Sequence, residues 1–341
     1  MELWSRIQGE GPVVVIAEAG VNHDGSADDA HELVELAART GADAVKFQTF
    51  RVDALTSTDA ASAGYQKSAT GHQQQYEMLS NLSLPDSAWA ELHEHAHSLG
   101  LGFLSTPFDL ESAELLAGLG MELVKVPSGE ITNLPLLREF AAMFDHMLIS
   151  TGMASLGEVE SAVSAIRDRA AGALMHCVSA YPAPIDQLNL AAIETLREHF
   201  RLPVGWSDHS IGLSSAQIAV ALGATVVEKH VTLDRSRRGP DHAASADADM
   251  MSEFVRGVRR AEQMVGSGVK EPQACELDSR EVSRRSWHSR SRLEQGHVLC
   301  QEDLVALRPG SGISPAESVV GRRLSVSVES GTLLRYEMLD G

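Results

Sequence analysis

Short apolar runs rich in β-branched residues recur eight times along the chain: VVVIAEAG (13–20), AVKFQTF (44–50), GFLSTPF (102–108), LVKVPSGE (123–130), MLISTGM (147–153), ALMHCVSAYP (173–182), VGWSDHS (204–210) and VVEKHVTL (226–233). The segments between them space their apolar residues for one face of a helix, as in SADDAHELVELAART, DSAWAELHEHAHSLG, SLGEVESAVSAIRDR and LSSAQIAVALG. Several open at a Ser or Asp suited to capping a first turn and close near a Gly. Strand and helix alternating eight times predicts an α/β fold, a (β/α)8 TIM barrel. An open doubly wound sheet usually has fewer strands and often a glycine-rich phosphate loop, and no such loop is found in this sequence.

The connection from Arg51 to Pro85, with TGHQQQYEML inside it, is too long for a simple βα loop and reads as a lid. After a helix ending near Met264, the stretch VGSGVKEPQACELDS reads as a linker. From Arg284 onward the pattern changes to short strands and turns, SWHSRSRL, GHVL, DLVALRPGSG and RRLSVSVESGTLLRYEML. The expected organisation is a barrel over 1–265, a linker over 266–283 and a small β-rich module over 284–341. A module of roughly 60 residues lies near the lower limit for independent stability. It is expected to lean on a surface of its own barrel or of another subunit.

With 43% hydrophobic and 22% charged residues among 341, the composition is that of a soluble globular protein. No apolar run approaches the roughly 18 residues of a membrane span, and MELWSRIQGEG lacks the apolar stretch of a signal peptide. Cys177, Cys275 and Cys300 have neither disulfide-framework nor zinc-finger spacing. The cytoplasm is the expected location. A formal net charge of −19 argues against nucleic acid or an anionic membrane as partner. A small anionic substrate needs only local positive charge. The basic clusters RSRR (235–238) and RRSWHSRSR (284–292) are read mostly as solvated surface.

Barrels carry their chemistry at the C-terminal ends of the strands. Here all eight runs end in polar or special residues: EAGVNH, KFQT, STPF, KVPSGE, STGM, SAYP, SDHS and EKH. In VVEKHVTLDRSRRGPDH (226–242), alternation puts Glu228 and His230 on one face and Lys229 on the other. By the same parity Lys46 goes with Gln48, Ser207 with His209, and Ser179 with Tyr181. Strands seven, eight and one are neighbours in a closed barrel, so His209, His230 and Glu18 can converge. A lone strand histidine is ordinarily a satisfied core residue. Two at adjacent strand ends point instead to a divalent ion, Mn²⁺ first, with Mg²⁺, Co²⁺ or Zn²⁺ as alternatives. Across the mouth, Lys46 and Lys125 with the hydroxyls of Thr106, Ser128, Ser150 and Ser207 form a cradle for a phosphate plus a carboxylate. The match to H-E-x-x-H at His93–His97 is a decoy. Trp89, Leu92, Ala96 and Leu99 are expected to form that helix's apolar face, leaving both histidines on the outer ring.

With these residues in view, IAEAGVNHDGS, AVKFQTF, FLSTPFD, VKVPSGE, STGMAS, GWSDHS, EKHVTLDR and GPDHAAS together resemble the sialic acid synthase family, which includes legionaminic and pseudaminic acid synthases. RRSWHSRSRLEQGHVLCQEDLVALRPGSGI resembles its C-terminal antifreeze-like (SAF) module. The resemblance implies a metal-dependent condensation of phosphoenolpyruvate with an N-acylated hexosamine, N-acetylmannosamine or a 2,4-diacetamido-trideoxy-mannose. The products would be a nonulosonic acid and phosphate. It implies that Lys46, Thr106, Lys125, Ser128, Ser150 and Ser207 hold phosphoenolpyruvate, that Gln48, Tyr181 and Asp241 contact the sugar, and that Glu18 orients water or moves a proton. It further implies that His209 and His230 bind the metal, and that Arg308 reaches the sugar from the partner subunit of a swapped homodimer. Ser179 stands where several neuraminate-forming members have Asn, Arg284 stands at a place that can be aromatic, and the 55–75 loop matches poorly. The GPDHAAS form is nearer the neuraminate and legionaminate branches. Three rivals remain: a Schiff-base aldolase or lyase on the same barrel, a non-catalytic carbohydrate- or ice-binding protein, and a phosphoenolpyruvate-dependent synthase acting on an unacylated sugar phosphate.

Overall fold

The eight apolar runs become eight parallel strands in a computed structural model of the chain, which describes residues 2–62, 67 and 70–340. They are β1 (Val14–Gly20), β2 (Ala44–Thr49), β3 (Gly102–Pro107), β4 (Leu123–Val126), β5 (His146–Ser150), β6 (Ala171–Cys177), β7 (Val204–Asp208) and β8 (Val226–His230). Their order is β3-β2-β1-β8-β7-β6-β5-β4, and the end strands β3 and β4 lie side by side, closing a (β/α)8 barrel. Parallel strands between helices are buried on both faces, which is why the runs are almost continuously apolar.

Alternation divides those apolar residues between two layers. Val15, Ala17, Val45, Phe47, Val124, Val126, Trp206 and Val227 face the surrounding helices. Val14, Ile16, Ala44, Leu104, Leu148, Ala173, Met175 and Val226 fill the lower barrel, joined by Trp4 and Ile7 of the N-terminal helix Glu2–Ile7. That helix closes the N-terminal end, with the Trp4 ring packed at a tilt 4.4 Å from the His146 ring. Following each inward face upward, apolar gives way to polar: Val14, Ile16, Glu18 on β1; Ala44, Lys46, Gln48 on β2; Val226, Glu228, His230 on β8. Ladder register levels these residues, since Glu18 pairs with both Lys46 and His230, and Ser207 with Glu228.

The helices start and stop where local chemistry dictates. In helix Ala27–Thr40, Ser26 accepts from Asp29 N–H and Gly41 closes the helix in the left-handed region at φ 81°. Asp247 caps the 18-residue helix Ala248–Val265 in the same way. Helix Asp86–Ser98 buries Trp89, Leu92 and Ala96, but Leu99 lies past its last turn and is 43% exposed, so it is not part of the apolar face expected for it. Within 51–85 there are short helices at Val52–Leu55 and Gln75–Ser80. Of the poorly matching 55–75 stretch, residues 63–66, 68 and 69 lie outside the described residues. No helix among the described residues is long and apolar enough to cross a membrane.

The chain divides into two compact units, 1–266 and 267–341. The second contains strands β9 (Ser286–Ser289) and β10 (Leu304–Leu307), paired antiparallel, around a core of Leu293, Leu299, Leu304, Ile313, Leu324 and Leu334 among others. The segment read as a linker, 266–283, is not wholly irregular: it ends in a helix, Leu277–Ser283, whose side chains bury no core residue. Those exposed residues lack the apolar periodicity that announces a helix.

The lower barrel has no slack at Gly205. A methyl there would fall 2.5 Å from both Met175 Sδ and the Val226 carbonyl oxygen, and would meet Val226 Cγ1. Gly205→Ala is therefore expected to destabilise the barrel by about 1–3 kcal/mol, the usual cost of overpacking. Denaturant unfolding followed by tryptophan fluorescence measures it, and an unchanged midpoint would show that this layer can shift.

Candidate active site

The polar ends of the inward faces meet in one cavity of about 440 Å³ at the C-terminal mouth of the barrel. β1 supplies Glu18, β2 Lys46 and Gln48, β3 Thr106, β4 Lys125, β5 Ser150, β7 Ser207 and β8 Glu228 and His230. Ser128, Tyr181, His209 and Asp241 come from the segments just beyond β4, β6, β7 and β8. Twelve of the thirteen residues singled out in the sequence thus line the same cavity. The thirteenth, Arg308, is an exposed residue of the second unit, where its Nε donates to the Ser283 carbonyl.

Four charged side chains sit at the centre. Lys46 Nζ lies 2.6 Å from Glu18 Oε2 and 3.7 Å from Glu228 Oε2, and donates to Thr106 Oγ1 at 3.2 Å. Lys125 Nζ lies 3.5 Å from Glu228 Oε1, which also accepts from Ser207 Oγ at 2.8 Å. Gln48 Nε2 donates to Glu18 Oε1 at 3.3 Å. The two carboxylates feel each other's charge, and their surroundings push them in opposite directions. Burial alone would raise Glu228, but Lys125, Lys46 and the Ser207 hydroxyl hold it at about 2. Burial raises Glu18 to about 7 against the pull of Lys46, and Glu228 adds to the rise. Burial lowers Lys125, whereas in Lys46 the two carboxylates outweigh it and raise the pKa. Glu228 was visible by parity with His230, but nothing along the chain shows that it faces two lysines from other strands.

His209 Nδ1 donates to the Val178 carbonyl at 2.7 Å, which makes Nε2 the acceptor nitrogen, 3.3 Å from Ser207 Oγ, whose hydroxyl donates to Glu228. His230 Nδ1 is buried with no hydrogen-bond partner and lies 3.6 Å from Asp241 Oδ2. The two rings are 5.6 Å apart, and the Tyr181 ring packs 4.2 Å from His209. Burial lowers His209 to about 4 and His230 well below the usual value, so both imidazoles are neutral and can act as ligands. No group of three or more His, Cys, Asp or Glu able to hold a metal occurs among the described residues. An ion here would have two protein imidazoles, with its other positions left to water or substrate. The orphaned His230 nitrogen and the neutral donor pair fit such an ion.

Loops brace this arrangement from outside. Asn22 Nδ2 donates to the Val231 carbonyl at 2.8 Å and to Ser245 Oγ at 2.9 Å, tying the loop after β1 to the loop after β8. His242, fully buried, bridges Thr232 Oγ1 at 2.7 Å and Asp24 Oδ1 at 3.0 Å. Ser245 Oγ donates to the Asp241 carbonyl at 2.7 Å. Asp241 is thereby carried to the mouth, where burial raises its carboxyl to about 6. On the opposite side Gly152 N donates to Ser128 Oγ at 3.0 Å. A methyl at Gly152 would lie 2.7 Å from that oxygen and 2.9 Å from Cys177 Sγ, and would meet Ser179 Oγ, so glycine keeps the hydroxyl cradle open. The far wall is apolar: Phe50, Leu55, Met78, Leu79, Leu82 and Phe108, mostly from the 51–85 connection. The H-E-x-x-H histidines are elsewhere. His93 stacks 4.3 Å from His97 and packs edge-on against Phe103, near the N-terminal end of β3.

This chain matches the NeuB family over residues 33–270 and the SAF domain over 284–340. It is 45% identical to an N,N'-diacetyllegionaminic acid synthase of Legionella pneumophila, over 96% of this chain and 94% of that protein. It is 40% identical to the enzyme of the same name from Campylobacter jejuni, over 94% and 98%. A solved N-acetylneuraminic acid synthetase from Leptospira borgpetersenii, in complex with citrate, superposes with a TM-score of 0.70 at 33% identity, covering 79% of this chain and 90% of that one.

Glu18 and Glu228 act on stability with opposite signs. Glu228, depressed from 4.5, contributes stability present above pH 4.5 and lost as pH falls towards 2. Glu18, raised from 4.5 to about 7, contributes stability complete below pH 4.5 and lost as pH rises through 7. Glu228→Gln removes the like charge beside Glu18, so the Glu18 carboxyl is expected to titrate below 7. The protonated-carboxyl infrared band of the metal-free protein reports its midpoint; a midpoint that stays put or rises would show that Glu228 does not set it.

Proposed function

This chain belongs to the NeuB family, and from that premise we propose that it condenses phosphoenolpyruvate with an N-acylated, deoxygenated mannosamine and water, giving a nonulosonic acid and phosphate. The carrying observation is the joint presence, in one cavity, of the Lys46–Lys125 cradle and the His209–His230 pair, with Glu18 between them. Lys46, Lys125 and the hydroxyls of Thr106, Ser128, Ser150 and Ser207 bind the phosphate and carboxylate of phosphoenolpyruvate by charge-assisted hydrogen bonds. Gln48, Tyr181 and Asp241 orient the sugar so that its aldehyde carbon faces C3 of phosphoenolpyruvate. A divalent ion on His209 and His230, Mn²⁺ foremost with Mg²⁺ or Co²⁺ as alternatives, would supply Lewis acidity at the aldehyde oxygen.

Formation of the C–C bond leaves an electron-poor C2, which water captures. Glu18, with its carboxyl near 7, is the group suited to take the proton that water gives up. The former aldehyde oxygen receives that proton and becomes a hydroxyl. The tetrahedral C2 then collapses, its C2–O bond to phosphate breaking as its hydroxyl proton leaves with the phosphate, to give the 2-keto acid. The apolar wall of Leu55, Met78, Leu79 and Leu82 suits an acceptor with a methyl at C6 and a second acetamido group better than one with a free hydroxymethyl. The 45% identity to a diacetyllegionaminic acid synthase supports the same choice. The partner subunit's Arg308, in a homodimer, is assigned to the acceptor's N-acyl group, and the reaction is placed in the cytoplasm.

Phosphate release from phosphoenolpyruvate tests this, with N-acetylmannosamine and 2,4-diacetamido-2,4,6-trideoxymannose as parallel acceptors, with and without EDTA. Release is expected to need an acceptor, to stop with chelator and to favour the trideoxy sugar. Lys125→Ala should lower kcat/KM for phosphoenolpyruvate on the order of 10²-fold. Arg308→Ala should raise the KM of the sugar alone, with the dimer verified by light scattering. Burial lowers Lys125, as a Schiff-base lysine requires. Chelator-insensitive turnover together with borohydride trapping of pyruvate on Lys125 would therefore replace this reading with the aldolase one.

A further inference from the structure

We infer that the buried Asp208–Lys229 ion pair, on the outer side of β7 and β8, is a positioning device for the imidazoles of His209 and His230 on the inner side. The inference rests on the reading of those histidines as metal ligands. Alternation turns Ser207 and Glu228 into the barrel and Asp208 and Lys229 out of it. The β7–β8 ladder ends at the pair Asp208–Lys229. His209 and His230 follow one residue later, beyond the last paired position of that ladder. The backbones of both histidines are tied to other segments, His230 to Glu18 of β1 and to Ala246, and His209 to Ala183. Between β7 and β8 it is Lys229 that continues the tie. Its Nζ lies 3.1 Å from Asp208 Oδ2 and 2.5 Å from the Ser210 carbonyl oxygen, so the tie straddles His209 on both sides. Asp208 is itself fixed: Oδ1 accepts from Ser210 N at 2.9 Å and Ser210 Oγ at 2.7 Å, and Oδ2 from Ser215 Oγ at 2.8 Å.

The side chains of Lys229 and Asp208 are 1% and 0% exposed. Stability does not account for such a pair, because well-packed apolar residues of similar volume usually serve as well or better. What the pair adds is direction. Every acceptor position of Asp208 is filled in one geometry, whereas an apolar pair would tolerate several. Two ligands on separate strands hold an ion only while their separation is constant, and partners behind metal ligands are typically worth about 10–100-fold in affinity.

The test uses the full-length, metal-free protein titrated with Mn²⁺, free ion being read by its electron paramagnetic resonance signal. Asp208→Leu/Lys229→Met replaces the ion pair by apolar groups. It is expected to keep its melting midpoint while binding Mn²⁺ about 10–100-fold more weakly. Lys229→Arg, which preserves the charge, should recover most of that loss. If the double variant folds and binds Mn²⁺ as the parent does, the inference is overturned. Should it not fold, Ser215→Ala decides, since it removes one bond orienting Asp208: weaker Mn²⁺ binding supports the inference and unchanged binding overturns it. His230→Ala separates the two layers of the argument. If it binds Mn²⁺ as well as the parent, the metal reading itself fails and this inference falls with it.

Discussion

Two ammonium groups and two carboxylates are buried together in the mouth of the barrel, and everything else in the site depends on their cancelling. A single unpaired charge in such a place would shed or take up a proton. Glu228 stands between Lys46 and Lys125 and takes the Ser207 hydroxyl as well, so it stays ionised and keeps both lysines directed inward. Glu18 lies against Lys46 and Gln48 with less compensation for its burial, so its carboxyl titrates near neutrality while Glu228 stays ionised. The cluster's members are held by one another, and its lysine donors are those an incoming anion would meet. Pre-organisation of this kind removes the need to gather charges at the moment of binding.

The rest of the molecule reads as support for that cluster. The lower barrel is closed by Val14, Ile16, Leu104, Leu148 and Met175 with Trp4 and Ile7 beneath, which denies water a path from below. Above, the loops after β1 and β8 are laced through Asn22, Asp24, His242 and Ser245. Their hydrogen bonds hold segments that no strand ladder reaches. Gly152 works by absence, since any side chain there would displace the hydroxyls it lies beside.

The cavity also has two chemical halves. Its floor is charged and hydroxylated, and its far wall is made of Phe50, Leu55, Met78, Leu79 and Leu82. An anionic partner and a partner rich in methyl and acyl groups would therefore sort themselves by environment rather than by shape alone. The long connection after β2 supplies most of that wall, and connections of this kind can vary without disturbing the barrel.

Periodicity made the barrel legible, because strand and helix leave different repeats in the chain, and parity made the inward-facing polar residues legible. Because barrel chemistry gathers at strand ends, Glu18, Lys46, Lys125, Ser207, His209 and His230 belong together on the sequence alone. Arg308 could be nominated only by resemblance. The sequence did not reveal what Glu228 and Lys229 face. One turns to two lysines on other strands and the other to an aspartate across the ladder, and such partners depend on register, which has no local signal. Leu99 and the helix Leu277–Ser283 went astray because an element's end is set by what packs or caps there. What the chain determined alone was the alternation of elements and which residues share a face. What only tertiary structure decided was which charges cancel, because cancellation depends on distances between strands remote in sequence.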